Sequence, residues 1–246
     1  MNLPKNCIHI SDLHEENFYK IVKEFIETYP VKQEWHVLFI TGDLTYKGHF
    51  SAMVKVRDYM DLILKEGLVE DIVFIPGNHD LSFEEEHVAY TQVMPLFQNQ
   101  EHIHLLMHEY KEVQGIKIFG SPWTPWFFDW AFNYYNPEYP IQSDGLPKGH
   151  EFWKDIPDDT QILLTHGPAK NIRDLVLRGN RHVGCDDLLT KIIELDKKDL
   201  RFHLFGHIHE TYGRTRVGNV VFLNSSIMDV HYRPLNSPQD FTFYLD

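Results

Sequence analysis

Short apolar runs alternate with amphipathic stretches along the first half of the chain. The runs cover residues 7–10, 37–40 and 72–75. Between the first two, apolar residues recur at the spacing of a helix with one buried face: Phe18, Ile21, Val22, Phe25, Ile26 and Tyr29. A second helix is predicted over residues 51–65, because Gly67 is a typical stop signal. This alternation predicts βαβ units and a partly parallel sheet.

The second half of the chain is richer in strand-like runs. They cover residues 104–110, 116–120, 162–165, 202–205, 220–223 and 241–245. The turn at Gly218-Asn219 predicts an antiparallel hairpin, and a third amphipathic helix begins at Cys185. We therefore predict the α/β class, as a four-layer α/β/β/α sandwich of two mixed β-sheets flanked by helices. No stretch has the composition of a linker, which predicts one domain over residues 1–246.

The charge balance restricts the partners of the protein. Its formal net charge is −13, from 23 Lys and Arg against 36 Asp and Glu. Nonspecific affinity for long nucleic acid depends on many basic contacts to phosphates, so we expect no such partner. A small phosphorylated substrate remains compatible, because bound cations can reverse the local field around one phosphate.

The sequence also indicates where the protein works. No run approaches the ~20 apolar residues that span a bilayer, and no export signal is visible at the amino terminus. Cys7 and Cys185 are far apart and do not form a disulfide framework, so we expect reduced thiols. These features predict a cytoplasmic protein with no membrane partner, and they leave a homo-oligomer open.

Residues able to bind metals follow five of the strand-like runs. The carboxyl ends of neighbouring strands line a common crevice, so residues distant in sequence can converge there. Asp12 and His14 are spaced two residues apart, as are His207 and His209. Alternate side chains of extended chain project to the same side, so each pair is predicted to reach one site. The candidate residues, in chain order, are Asp12, His14, Asp43, Asn78, His79, Asp80, His166, His207 and His209.

The mixture of ligand types indicates which metals are suitable. Carboxylates, imidazoles and an amide suit Mn²⁺, Fe²⁺ or Zn²⁺ better than Ca²⁺, which prefers oxygen throughout. Without His79 and Asp80, the set holds seven ligands, too many for one ion and enough for two that share a carboxylate. Any one of these residues is more often structural than ligating. Their ordered recurrence at five strand ends is what predicts the metal site.

The same blocks carry a resemblance to a known family. Asp-x-His, Gly-Asp, Gly-Asn-His-Asp, His-Gly and Gly-His-x-His, between Asp12 and His209, resemble the calcineurin-like metallophosphoesterase superfamily. Residues 120–127, 129–133, 181–185 and 224–226 are similar to the branch of metallophosphoesterase-domain-containing proteins related to class III cyclic-nucleotide phosphodiesterases. The resemblance implies a phosphoesterase with two divalent cations.

The resemblance also implies a role for each candidate residue. Asp12, His14 and His209 would bind the first metal, and Asn78, His166 and His207 the second. Asp43 would bridge the two, and a hydroxide shared by the metals would attack phosphorus. His79 would stand on the leaving-group side, with Asp80 orienting it as a carboxylate orients an imidazole. We take the other eleven of the sixteen histidines as structural.

An aromatic segment, residues 122–136, admits two interpretations. It is either a hydrophobic loop packed on the core or at a subunit contact, or a wall beside the metals on which a nucleobase stacks. A membrane role is disfavoured because the segment lacks basic flanks. Separately, Asn224-Ser225-Ser226 matches a glycosylation acceptor, a match that we regard as accidental.

Together these features predict hydrolysis of a small phosphodiester, with a cyclic nucleotide as one candidate. A phosphomonoesterase with the same metal centre is the alternative within the same chemistry. A nuclease is disfavoured by the acidic charge. A binding scaffold that keeps the fold without catalysis is the alternative from another class, and the complete set of predicted ligands argues against it.

Overall fold

The computed structural model describes residues 4–245, so residues 1–3 and 246 of the predicted domain lie outside the described residues. The strands, in chain order, are β1 (Pro4–Ile10), β2 (Val37–Thr41), β3 (Asp71–Ile75), β4 (Ile103–Leu105), β5 (Glu109–Val113), β6 (Ile116–Ser121), β7 (Thr124–Pro125), β8 (Asn133–Tyr134), β9 (Ile162–Thr165), β10 (Leu175–Val176), β11 (Arg181–His182), β12 (Phe202–Phe205), β13 (Gly213–Val217), β14 (Val220–Asn224) and β15 (Gln239–Tyr244). The α-helices are α1 (Phe18–Thr28), α2 (Phe50–Lys65), α3 (Tyr90–Phe97), α4 (Gly149–Trp153) and α5 (Asp186–Asp196).

Two large sheets contain most of the strands. The first has the order β15-β1-β2-β3-β4, in which only β15 runs antiparallel to its neighbour. The second has the order β13-β14-β12-β9-β6-β5, with parallel central strands and antiparallel strands at both edges. Both sheets are therefore mixed, as predicted, and β13 and β14 form the predicted hairpin.

Alternate residues of each central strand face different layers. On β2, Leu38 and Ile40 pack into the cluster that contains the buried residues of α1, α2 and α3. Val37 and Phe39 pack instead with residues of the second sheet. The outer face of the second sheet packs in a third cluster with residues of α4 and α5. Strands buried on both faces read as continuous apolar runs, and the resulting order of layers confirms the α/β/β/α sandwich.

The structure corrects the predicted strand over residues 104–110. This stretch contains the end of β4 and the start of β5, which belong to different sheets. The chain turns between them, and His108 has a left-handed backbone with φ 63°. The helices α3 and α4 were not predicted, because α3 has eight residues and contains Pro95, and α4 has five. Such short helices give little periodic signal.

Both cysteines lie within the described residues. Cys7 and Cys185 are free and buried, and the Cys185 sulfur accepts a hydrogen bond from the Leu188 amide at the start of α5. Among residues 4–245, no helix has the length and apolar character needed to cross a bilayer.

The two sheets are joined at the edge where their parallel strands end. Ser11, just after β1, forms an isolated bridge with Ser226, just after β14. The Ser11 amide donates to the Ser225 carbonyl oxygen at 2.9 Å. His9, on β1, lies between Thr41 and Ser225. Its Nε2 is 2.8 Å from the Thr41 hydroxyl, and its Nδ1 is 2.6 Å from the Ser225 hydroxyl. The loops that follow both sheets therefore start from a common, hydrogen-bonded base.

Candidate metal centre

The loops after β1, β2, β3, β9 and β12 bring the predicted ligands into one cluster. The side chains form three overlapping groups, within each of which the ligand atoms lie within 4.8 Å of one another. The groups are Asp12, His14 and His209; His14, Asp43 and His79; and Asp43, His166 and His207. The Asn78 side-chain oxygen joins the third of these groups, at 2.9 Å from His166 Nε2.

Asp43 lies between the two halves of this cluster. Its Oδ2 is 3.6 Å from His14 Nε2, and its Oδ1 is 3.3 Å from His166 Nε2. Oδ1 also accepts the His79 backbone amide at 2.9 Å. One carboxylate thus presents a different oxygen to each half of the cluster.

Several of these residues have a left-handed backbone. The φ angles are 55° at Asp12, 42° at His14, 52° at Asp43 and 67° at His207. Such angles are uncommon for residues other than glycine and concentrate at functional sites. The interpretation of the two-residue spacing as extended chain is therefore wrong. Asp12 and His14 meet through a tight turn, whereas His207 and His209 enter different groups.

Glycines allow the loops to approach one another. A Cβ on Gly77 would lie 2.3 Å from the Asp43 backbone nitrogen, and one on Gly206 would lie 2.0 Å from Ser11 Oγ and 2.1 Å from Asp12 Oδ2. All three distances are far inside van der Waals contact. The candidate site therefore depends on glycine at these two strand ends.

Backbone carbonyls orient two of the imidazoles. His166 Nδ1 lies 2.8 Å from the Thr41 carbonyl oxygen, and His209 Nδ1 lies 3.0 Å from that of Asp229. A carbonyl oxygen only accepts, so each Nδ1 carries a proton and each Nε2 is directed toward the cluster. This is the arrangement usually found around metal-ligating histidines.

His14 lacks such a carbonyl partner. Both of its ring nitrogens are buried, and neither has a hydrogen-bond partner among residues 4–245. Buried polar atoms are rarely left unpaired, because their desolvation is then uncompensated. A cation held with Asp12 and His209 would supply a partner for one of these two nitrogens. The set of carboxylate, imidazole and amide donors therefore fits a divalent metal.

The carboxylates of the cluster are ionised although they are buried. Burial opposes ionisation of Asp12, but the hydrogen bond and charge of His209 outweigh it and lower its pKa to about 2. Burial likewise opposes ionisation of Asp43, and the charge of His166 outweighs it and holds the pKa of Asp43 well below its usual range. The cluster thus carries two negative charges away from water.

The imidazoles of the cluster differ in the direction in which their pKa values are shifted. Burial lowers the pKa of His14 to about 4 and of His207 to about 3, which leaves both rings neutral. Burial also opposes protonation of His166, but the charge and hydrogen bond of Asp43 outweigh it and raise its pKa to about 9. In the same way, Asp12 outweighs the burial of His209 and raises its pKa to about 9. Without a metal, these two protons compensate the carboxylates. A bound cation would replace them.

The structure corrects the role predicted for Asp80. Its carboxylate accepts hydrogen bonds from the backbone amides of Leu44, Thr45 and Gly77 at 2.9–3.0 Å. Burial first, and the charge of Asp43 second, raise its pKa to about 6. His79 instead places Nδ1 2.9 Å from the Tyr46 carbonyl oxygen. Asp80 therefore joins the loops after β2 and β3, and the Tyr46 carbonyl orients His79.

A large cleft opens beside the cluster. Its volume is about 1080 Å³, and Asp43, Asn78, His79, His207 and His209 lie in its lining. The aromatic segment contributes part of the wall, with Phe127 and Phe128 46% and 61% exposed. Trp130 lies against the His79 ring, with centroids 4.1 Å apart. Phe132 and Tyr134 are buried in the core, so the segment contributes both to packing and to the cleft.

Several residues at this site gave no sequence signal. Tyr46 and Asp229 act through carbonyl oxygens, which every residue has. Tyr232 lies in the cleft wall, and its ring packs on His14. Lys170 also lies in the cleft lining, within 4 Å of Glu138. These contacts join distant parts of the chain, so no local motif could reveal them.

Asn224 is not a glycosylation acceptor in this fold. Its side chain is fully buried, and its amide donates to the Ile208 carbonyl oxygen at 2.8 Å and to Thr211 Oγ1 at 3.1 Å. The residue supports the short turn that carries His209.

Comparison with known proteins identifies the family. The profile of calcineurin-like phosphoesterases matches residues 6–211, a range that includes every predicted ligand. The chain belongs to the calcineurin-like phosphoesterase family. This family is metal-dependent, in agreement with the donor set of the cluster.

Individual relatives agree with this assignment. Metallophosphoesterase domain-containing protein 1 of Homo sapiens and that of Mus musculus are each 33% identical over 222 residues, covering 82% of this chain and 63% of the relative. The chain thus spans less than two thirds of these relatives. Phosphopantetheinyl hydrolase of Mycobacterium tuberculosis has the same fold, with a TM-score of 0.59 at 14% identity, over 98% of this chain and 97% of that one.

The bonds of Asp80 generate a stability prediction. In Asp80→Asn, one carboxylate oxygen becomes an NH₂ group that faces backbone N–H donors, so at least one buried amide loses its acceptor. We expect the free energy of unfolding to fall by about 1–3 kcal/mol. Chemical denaturation at a fixed metal concentration measures this change. The control Asp129→Asn alters an exposed carboxylate of the same cleft and should change stability by less than about 0.5 kcal/mol. Equal stability of Asp80→Asn and wild type would contradict the role of Asp80.

Proposed function

We propose that the chain is a phosphoesterase that uses two divalent cations to hydrolyse a small phosphodiester. Asp12, His14 and His209 hold one cation. Asn78, His166 and His207 hold the other, and Asp43 bridges them. The observation that carries this proposal is the position of Asp43, whose two oxygens face His14 and His166 at 3.6 and 3.3 Å.

The donor set favours Mn²⁺, Fe²⁺ or Zn²⁺ at both positions. When bound, such cations supply positive charge for the phosphoryl oxygens and lower the pKa of water. The protein's own residues fix the ligand atoms: the carbonyl oxygens of Thr41 and Asp229 turn Nε2 of His166 and His209 toward the cluster. An acidic protein can in this way hold a phosphate without a large basic surface.

We assign His79 to the leaving group. The Tyr46 carbonyl oxygen accepts the Nδ1 proton, so Nε2 is the ring atom that remains for the substrate. Contact with Trp130 limits rotation of the ring. As an imidazolium, His79 donates its Nε2 proton to the alkoxide oxygen as the bond from phosphorus to that oxygen breaks. The departing group leaves as a neutral alcohol.

The cleft favours a diester over a monoester. Its volume of about 1080 Å³ leaves space for a group on each ester oxygen. Phe127 and Phe128 offer aromatic faces, and Asn133 braces their loop by donating to the carbonyl oxygens of Phe128 and Trp130 at 2.9 and 2.7 Å. Nucleobases stack on such faces with about 1–3 kcal/mol each. A cyclic nucleotide is therefore one candidate substrate.

A substrate panel tests the proposed function. Purified protein loaded with Mn²⁺ is assayed with bis-nitrophenyl phosphate, nitrophenyl phosphate, cyclic nucleotides and oligonucleotides, and kcat/KM is compared. We expect the diesters to be hydrolysed best. Equal or faster turnover of nitrophenyl phosphate would favour the phosphomonoesterase, and robust cleavage of oligonucleotides would favour the nuclease. Absence of hydrolysis with Mn²⁺, Fe²⁺ and Zn²⁺ alike would favour a binding scaffold.

Asp43→Asn tests the bridging carboxylate. The neutral amide offers one oxygen and no charge, so both cations should bind more weakly. Metal analysis after gel filtration should show less than one equivalent in total. The matched variant Asp12→Asn should weaken one cation only, because Asp12 contributes to one group. Two full equivalents in Asp43→Asn would contradict the bridge.

His79→Ala tests the leaving-group role. We expect kcat to fall by about 10²–10⁴, as for loss of a general acid, while metal content stays near two equivalents. His79 also lies within 4.8 Å of His14 and Asp43, so a ligand role is the competing assignment. Loss of a metal equivalent in His79→Ala would favour that assignment. His150→Ala, at an exposed histidine of α4, is the control and should keep wild-type turnover.

A further inference from the structure

The two imidazoles of the first metal group are held in different ways. The Asp229 carbonyl oxygen orients His209, whereas His14 has no hydrogen-bond partner among the described residues. The His14 ring is instead surrounded by aromatic rings, with centroids 4.8 Å away at Tyr232, 4.9 Å at His79 and 5.2 Å at Tyr46. The orientation of His14 therefore depends on packing.

Tyr232 belongs to a turn that is closed by its own side chains. The Asp229 carboxylate accepts the backbone amides of His231 at 2.8 Å and Arg233 at 3.0 Å, and also binds the Arg233 guanidinium. The Tyr232 amide donates to the Asp229 carbonyl oxygen at 2.9 Å. Tyr232 has a left-handed backbone, with φ 56°. This turn is a defined structure that directs the Tyr232 ring toward the cleft.

We propose that residues 229–233 form a clasp for the first metal group. The clasp positions both of its imidazoles: Asp229 holds His209 through its carbonyl oxygen, and Tyr232 holds His14 through ring packing. Tyr232 is thus a positioning residue that acts through His14. The inference rests on the proposed dinuclear centre, and it concerns a segment outside the family match over residues 6–211.

The physical argument is one of preorganisation. An imidazole without an outer hydrogen bond can rotate about its side-chain torsions, and its ligand nitrogen is then not held toward the metal. The Tyr232 ring meets His14 edge to face, at an interplanar angle of 74°, and Tyr46 packs on it at 34°. Outer groups that orient metal ligands through hydrogen bonds typically change metal affinity by about 10–100-fold, and we expect ring packing on His14 to act at the lower end of this range. Tyr232 is 45% exposed, so its truncation leaves the buried core unchanged.

The test is a calorimetric titration of metal-free protein with Mn²⁺. For Tyr232→Ala we expect the Kd of one of the two sites to rise about tenfold while the other stays unchanged. Tyr232→Phe keeps the ring and should restore wild-type binding. Asp229→Ala opens the turn but keeps the carbonyl group, and should weaken the same site. Tyr139→Ala removes an aromatic ring from the same cleft without a ring contact to the predicted ligands, and should leave both sites unchanged.

The outcomes separate the clasp from the proposed function. Fewer than two Mn²⁺ sites in the wild type would overturn the dinuclear centre itself. Two wild-type sites that remain unchanged in Tyr232→Ala would overturn the clasp alone. Equal weakening of both sites, or failure of Tyr232→Phe to restore affinity, would also overturn the clasp, because neither result comes from ring packing on one ligand.

Discussion

The site depends on the burial of two ionised carboxylates within the same cluster. Asp12 and Asp43 are almost completely shielded from water, and an ionised group in such a place is costly unless opposite charge lies beside it. In the protein alone, His166 and His209 supply that charge, which is why their pKa values rise to about 9. Divalent cations would supply it more completely. The cluster that contains these two carboxylates therefore strongly favours the binding of cations.

The scaffold meets this constraint by holding five loops in close contact. Parallel strands buried on both faces give the loops fixed starting points, and the Ser11–Ser226 bridge joins the two sheets where those loops begin. The left-handed backbone at Asp12 and Asp43, and the absence of a side chain at Gly77 and Gly206, are conformational features that serve the cluster rather than the core. Such strained positions persist because the surrounding hydrogen bonds specify them.

Charge and shape at the cleft together favour a small phosphoester. The net charge of −13 disfavours long polyanions, yet the cluster can attract one phosphate once cations are bound. In the proposed function, the aromatic segment would limit what accompanies that phosphate, since Phe127, Phe128 and Trp130 line the cleft and Trp130 lies against His79. Val230 and Tyr232, of the turn over residues 229–233, also line the cleft, and the ring centroids of Tyr232 and Tyr46 are 6.1 Å apart. In the proposed function, the cleft walls would select the substrate and the cluster would hold the cations that supply the chemistry.

The sequence by itself determined the layer order, the central strands and the identity of the residues that gather in the cluster. These features were predictable because they are local: an apolar run and the polar residues after it lie next to each other in the chain. Only the tertiary structure decided how the residues are oriented. It placed Asp80 on backbone amides rather than on His79, and it separated β4 from β5 into different sheets. It also brought Tyr46, Asp229 and Tyr232 to the imidazoles. Carbonyl acceptors and ring contacts leave no pattern in a sequence, because almost any residue can supply them once folding brings it to the right place.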